Sequence, residues 1–210
     1  MEVYDAVKTR LTVRQYKSDP VPDDVVMKLL KAAQWAPSSR NLQPWHFIVV
    51  RDRDTLREIG GIASSGNFVA DAPMAIAIAM EGDADRPELD AGRTLQQIEL
   101  VAWEEGLGTC FVGLRVEEQN RKVKDILGIP NGLELITILP FGFRPDNMRG
   151  GRRRDRKALG EMAHDGKFGQ PYPEEYPAVK MIACQGGRRP SDVVDACPRP
   201  LRVCGDQLVS

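Results

Sequence analysis

Apolar residues recur along this chain at two spacings, and the spacings mark out the elements. In "PDDVVMKLLKAAQWA" they fall at Val26, Leu29, Leu30, Ala33 and Ala36, a helical stripe. Pro22, Asp23 and Asp24 open that helix and Pro37 stops it. Residues 2–9 read as a shorter helix before "RLTVRQY", and "RDTLREIGGI" as a third. The best central candidate is "DAGRTLQQIELVAWEE", residues 90–105. Its apolar stripe is Leu95, Ile98, Val101 and Ala102, with Gln96, Glu99 and Glu104 among the polar positions. "EEQNRKVKDILGI" is helical again, and "ALGEMAH" predicts a short helix. The runs "HFIVV", "APMAIAIAM" and "LELITILPFGF" read as strands, and "GLGTCFVG" ends the central helix at a glycine and turns into extended chain. Short connections throughout predict an α+β domain with helices flanking a small sheet.

Composition narrows the partners. The 210 residues suit one domain, or one domain with an appendage. A formal net charge of −1 gives no global pull toward nucleic acid or a membrane surface. No apolar run reaches spanning length, and "MEVYDAVKTR" does not read as a signal peptide, so the expected location is cytoplasmic. From about Pro171 the periodicity is lost and Pro, Gly and Arg dominate, so residues 170–210 read as an irregular tail behind a domain spanning 1–169. Cys184, Cys197 and Cys204 lie in that tail without a CxxC pair or a nearby histidine, and read as spare thiols rather than a metal site.

Candidate chemistry is concentrated in a few places. "APSSRNLQPWHFIVV" places five polar side chains, two prolines and an indole between a helix and a strand, more than a plain connection needs. "RLTVR" alternates Arg10, Thr12 and Arg14 at period two, so in extended chain all three side chains face one way. Two guanidinium forks around a hydroxyl make a good phosphate cradle. A second basic cluster holds Arg152, Arg153, Arg154, Arg156 and Lys157, and a cluster taken alone is more often a solvated surface. There is no Walker loop, no GxGxxG after a strand and no metal-spaced histidine pair. His46, beside Trp45 at a strand entrance, reads as a packing residue, and His164 as the end of a helix, favourable to its dipole. With no obvious acid–base machinery, an enzyme built this way needs a bound group to supply the reactivity.

Four blocks in order, "TRLTVRQY", "WAPSSRNLQPWHF", "DAGRTLQQIELVAWEEGLGTCFVG" and "RKALGEMAHDGKFG", resemble the successive motifs of the nitroreductase family, over about residues 3–169. The resemblance implies a homodimeric α+β fold with a central, antiparallel-rich sheet flanked by helices, and FMN at the subunit interface. It implies that Arg10, Thr12 and Arg14 grip the FMN phosphate and ribityl chain. Thr12 stands where serine is more usual, and Leu11 where a basic residue or histidine is frequent, which leaves that position its backbone contacts. Pro37, Ser38, Ser39, Asn41 and Gln43 would line the partner's flavin, with Trp45 behind them. The segment "TCFVG", residues 109–113 with Cys110, would run along the isoalloxazine, with backbone N–H groups near Val112 and Gly113 at the flavin N5 edge. Arg154 and Arg156 would close over the phosphate.

The activity implied is FMN-dependent transfer of reducing equivalents from NADH or NADPH to an electron-poor small molecule, a nitroaromatic or quinone, by a ping-pong mechanism. Flavin N5 would carry the hydride, with no catalytic side chain and no metal. Two rival readings stand beside it. One is a specialised flavin enzyme of the same fold that dehydrogenates a substrate, removes halogen reductively or fragments flavin. The other is a flavin-binding protein without turnover.

Overall fold

The computed structural model describes residues 1–146 and 155–173. They fall into two compact units, Met1–Arg154 and a second beginning at Asp155. In the first, β1 (Trp45–Val50), β2 (Met74–Glu81), β3 (Leu107–Thr109) and β4 (Leu133–Phe143) form one sheet in the order β1-β2-β4-β3, antiparallel at every pairing. Helices α1 (Val3–Thr9), α2 (Asp23–Gln34), α3 (Arg53–Ile62), α4 (Pro87–Glu104) and α5 (Glu117–Leu127) cover it.

The central strand β2 shows how the layers form. It reads Met-Ala-Ile-Ala-Ile-Ala-Met from residue 74 and is buried on both faces. Met74, Ile76, Ile78 and Met80 pack with Leu29 and Ala33 of α2 and with Ile98 and Ala102 of α4. Ala75, Ala77 and Ala79 point the other way, toward Leu56 and Ile59 of α3 and Val123 of α5. Period-two alternation of bulk, rather than of polarity, thus assigns a face to each helix pair. A register shift between Ile78 and Ala79 marks a bulge in the β2–β4 pairing.

Helix ends follow local chemistry. Asp52 caps α3, its carboxylate accepting from the Thr55 N–H at 2.8 Å, and that bond holds it below the usual carboxylate range. Pro87 opens α4, and Gly128, with φ of 66°, ends α5. Arg144 closes the C-terminal end of α4, donating to the carbonyls of Trp103 (2.9 Å) and Leu107 (3.3 Å) while lying 3.7 Å over the Trp103 ring.

Three local expectations change. His46 is not a packing residue: β1 is an edge strand, and His46 faces solvent 3.9 Å from Glu81. "ALGEMAH" forms only a single 3₁₀ turn, Leu159–Glu161, in the second unit. His164 therefore ends no helix; it pairs with Pro171 and its ring lies 4.5 Å from that of Phe168.

Candidate functional site

The segment Arg10–Arg14 lies beside β3. Thr12 pairs with Thr109 in parallel, and the Val13 N–H donates to the Thr109 carbonyl at 2.9 Å. Val13 is fully buried between the exposed Thr12 and Arg14, while Arg10 is half-buried. Gly108 makes the approach possible, because a Cβ there would fall 2.5 Å from Val13 Cβ and Cγ1. Leu11 turns inward and packs near Ala6, Val13 and Trp103, leaving its backbone for any ligand.

The charges around this edge are graded. Arg10, at the C-cap of α1, lies 3.4 Å from Glu99 of α4. Glu99 is only 5 % exposed; burial pushes its carboxyl up, and Arg10 pulls it partly back. Arg14 stands 5.8 Å from the centre of the Phe68 ring, and its charge acts on the Cys110 thiol. Burial dominates at Cys110 and raises its thiol, against the lowering by Arg14. Tyr16 donates to the Val13 carbonyl at 2.8 Å, and burial drives its hydroxyl far above the ordinary tyrosine range. Thr109 Oγ1 is buried beside this edge without a hydrogen-bond partner among the described residues. Two guanidiniums, an exposed hydroxyl and an unsatisfied buried hydroxyl fit a bound phosphate ester.

Beyond β3 the chain runs through Cys110 to Gly113. Cys110 and Val112 are buried in the core facing α3 and α5, so they can meet a ligand only through their backbone. The Val112 N–H already donates to Ile138 O at 3.1 Å, and its carbonyl accepts from Thr137 Oγ1 at 3.0 Å. Of the two amides expected at the flavin edge, that of Val112 is thus engaged within the domain, and Gly113 is half-buried. Phe111, between Cys110 and Val112, is 48 % exposed.

Pro37–Gln43 is built differently. Arg40, Asn41 and Gln43 have φ of 50°, 58° and 53°, left-handed conformations that cost a non-glycine residue about 1 kcal/mol each, asparagine least. The Gln43 N–H donates to Ser38 Oγ at 2.9 Å across the turn. From α4, Asp90 accepts the Ser39 N–H at 3.0 Å, and Asp85 just before the helix accepts the Ser39 hydroxyl at 3.2 Å. Pro37, Asn41 and Gln43 are exposed, Ser38 and Ser39 half-buried.

Of the remaining expected residues, Arg156 is exposed in the second unit, and Arg154 lies outside the described residues. Glu99 and Asp90 were not singled out in the sequence. Glu99 pairs with Arg10 and Asp90 with the Ser39 N–H, partners that lie far away in the chain, so no local signal marks those contacts. The described residues contain no group of three or more His, Cys, Asp or Glu that could hold a metal ion, and no helix long and apolar enough to cross a membrane.

The model of the family described as "Nitroreductase family" matches residues 7–74 and 63–143. The chain belongs to the nitroreductase family. A protein of Methanothermobacter thermautotrophicus provisionally named NADH dehydrogenase/NAD(P)H nitroreductase is 33% identical over 152 residues, 70% of this chain and 80% of that one. An iodotyrosine deiodinase of Thermotoga neapolitana is 25% identical over 169 residues, 69% of this chain and 89% of its own. Among solved structures, an FMN-dependent nitroreductase from Clostridium difficile superposes with a TM-score of 0.69 at 28% identity, covering 78% of this chain and 98% of that one. With its antiparallel sheet flanked by helices, this chain has the fold of that nitroreductase.

Proposed function

We propose that this nitroreductase-family protein is an FMN-dependent oxidoreductase that passes reducing equivalents from NADH or NADPH to an electron-poor small molecule such as a nitroaromatic or a quinone. The observation that supports the reading is the Arg10–Arg14 segment, tied to β3 at Thr12 and Val13, with the Thr109 hydroxyl in the paired strand buried and without a partner among the described residues. FMN, when bound, supplies hydride acceptance and donation at N5.

The chain's own residues bind and orient. Arg10 and Arg14 hold the phosphate, Thr12 adds a hydroxyl, and the Gly113 amide is offered toward the ring. Glu99 keeps the Arg10 side chain in place from behind, and the buried Cys110 and Val112 keep water from that side. Arg154 and Arg156 are assigned to the phosphate on the family resemblance alone. The working domain is taken as residues 1–169.

The same reading makes the protein a homodimer, with loop 37–43 serving the flavin of the second copy. An apolar face supports this. Val3, Tyr4 and Val7 of α1 and Trp35 after α2 are exposed, and a cavity of about 310 Å³ lies between Ala6, Ala32, Trp35 and Leu100. Such a face on a protein of this size is better covered than left in water.

Steady-state kinetics test the activity. Donor and acceptor that occupy the same ring face in turn give parallel double-reciprocal lines with a quinone or nitroaromatic, whereas converging lines would contradict shared occupancy. A second reading changes only the acceptor. Similarity to a protein named iodotyrosine deiodinase favours including a halogenated phenol in the panel. Halide release faster than quinone turnover would select that reading. Flavin binding without reduction by either nicotinamide would select the binding protein.

A further inference from the structure

Besides its internal bonds, among them Gln43 N–H to Ser38 Oγ, the strained loop has a hold from outside. Left-handed Arg40, Asn41 and Gln43 relax unless surrounding structure over-determines them. Its hold comes from α4. The Asp90 side chain is almost wholly buried, with Oδ2 accepting the Ser39 N–H at 3.0 Å and Oδ1 accepting from Arg93 Nη1 at 3.0 Å. Both oxygens are thus used, one to fix the loop backbone and one to fix the carboxylate itself. Asp85 adds a second, exposed anchor through the Ser39 hydroxyl. The anchor lies next to an apolar hollow of about 480 Å³ between Pro37, Leu89, Gly92, Arg93, Gln96 and Gln97. Gln97 Oε1 is buried without a partner among the described residues, so this face of α4 carries polar as well as apolar surface.

We propose that Asp90 is a positioning residue: through Ser39 it holds loop 38–43 in the shape that completes the flavin site of a partner subunit. The inference rests on the homodimeric FMN reading above. It adds that a carboxylate in one chain sets the flavin affinity of the other. Removing the carboxylate lets the loop relax to ordinary backbone angles, and withdraws Ser38, Asn41 and Gln43 from the partner's site. The bonds of Asp90 run to Ser39 and Arg93, away from the segment at residues 10–14, so the proposal leaves that segment of the same chain in place.

Subunit mixing separates the two chains' contributions. Asp90→Ala, Asp90→Asn and Arg14→Ala are purified as homodimers, and FMN affinity is read by fluorescence quenching, with circular dichroism and sedimentation as folding and assembly controls. We expect about a tenfold weaker dissociation constant for Asp90→Ala. Asp90→Asn, which keeps an acceptor oxygen for Ser39, should lose roughly threefold. Doubly tagged mixed dimers of Asp90→Ala with Arg14→Ala are then gel-filtered with FMN. One site pairs an intact Arg14 with an intact loop, so one tight flavin per mixed dimer is the expected result. No tight flavin in the mixed dimer overturns the inference, since the loop then serves its own chain. Wild-type affinity in folded Asp90→Ala and Asp90→Asn overturns it as well. Unchanged FMN affinity in Arg14→Ala would instead overturn the phosphate edge on which the proposed function stands.

Discussion

Arg10–Arg14 and Ser38–Gln43 are both polar segments following a helix, yet they are held by opposite means. The first is held from beneath. Val13 is fully buried against Gly108, and the backbone is tied to Thr109, so the exposed side chains inherit the rigidity of the sheet. The second is held from the side, by carboxylates at Asp85 and Asp90 that keep three residues in left-handed conformations. A charged ligand group such as a phosphate is well served by the rigid edge, where cations cost little to reorganise. A loop that, as proposed, serves a second subunit is better served by a hold that assembly can tighten. The difference suggests that the two segments fail differently, and mutations can show it.

The largest effect should come from the rigid edge itself. Gly108→Ala puts a methyl group 2.5 Å from Val13, and in so close-packed a place this overpacking should cost about 3 kcal/mol in urea unfolding. A loss under about 0.5 kcal/mol would mean that Val13 is free to move and the edge is not rigid. Next, Arg14→Ala removes a charge-assisted bond and should weaken FMN binding by about 1.5–3 kcal/mol, roughly ten- to a hundred-fold. Riboflavin, which lacks the phosphate, should bind the variant and the parent alike. An equal loss for both ligands would move Arg14 away from the phosphate.

Glu99 sharpens the comparison through pH. Its carboxyl is raised above the ordinary glutamate value by burial, so its contribution to stability is fully present below that value and is lost as pH rises through the folded one. The stability of the wild type relative to Glu99→Gln should therefore fall as pH climbs out of the ordinary carboxylate range, then level off. A difference that grows with pH would mean that Arg10 outweighs burial. The smallest effect belongs to the strained loop. Gln43→Gly relieves a left-handed side chain at φ 53° but adds freedom to the unfolded chain, for a net gain of about 0.5 kcal/mol. FMN affinity should fall in the same variant, because the loop loses its fixed shape.

The rigid half of this picture was legible in the chain. "MAIAIAM" carries a period-two alternation of bulk that the folded strand keeps, since a strand's faces are set by its own side chains. The helix over 53–62 and the strand over 133–143 matched at both ends for the same reason. The loop was legible only as a polar, proline-bounded stretch. Its left-handed residues are not glycines, and the groups that stabilise them lie about fifty positions away at Asp90. Glu99 sat among the polar positions of α4, and its burial follows from Arg10, which α1 brings to that helix. His46 misled because tryptophan beside it suggested packing, whereas the edge position of β1 decides its exposure.

Anaerobic titration of the FMN-reconstituted protein with NADH and with NADPH tests the central claim most directly. The account predicts that at least one nicotinamide bleaches the bound flavin, and that a quinone or nitroaromatic then restores the yellow colour. A flavin that stays oxidised with both nicotinamides at millimolar concentration would contradict it.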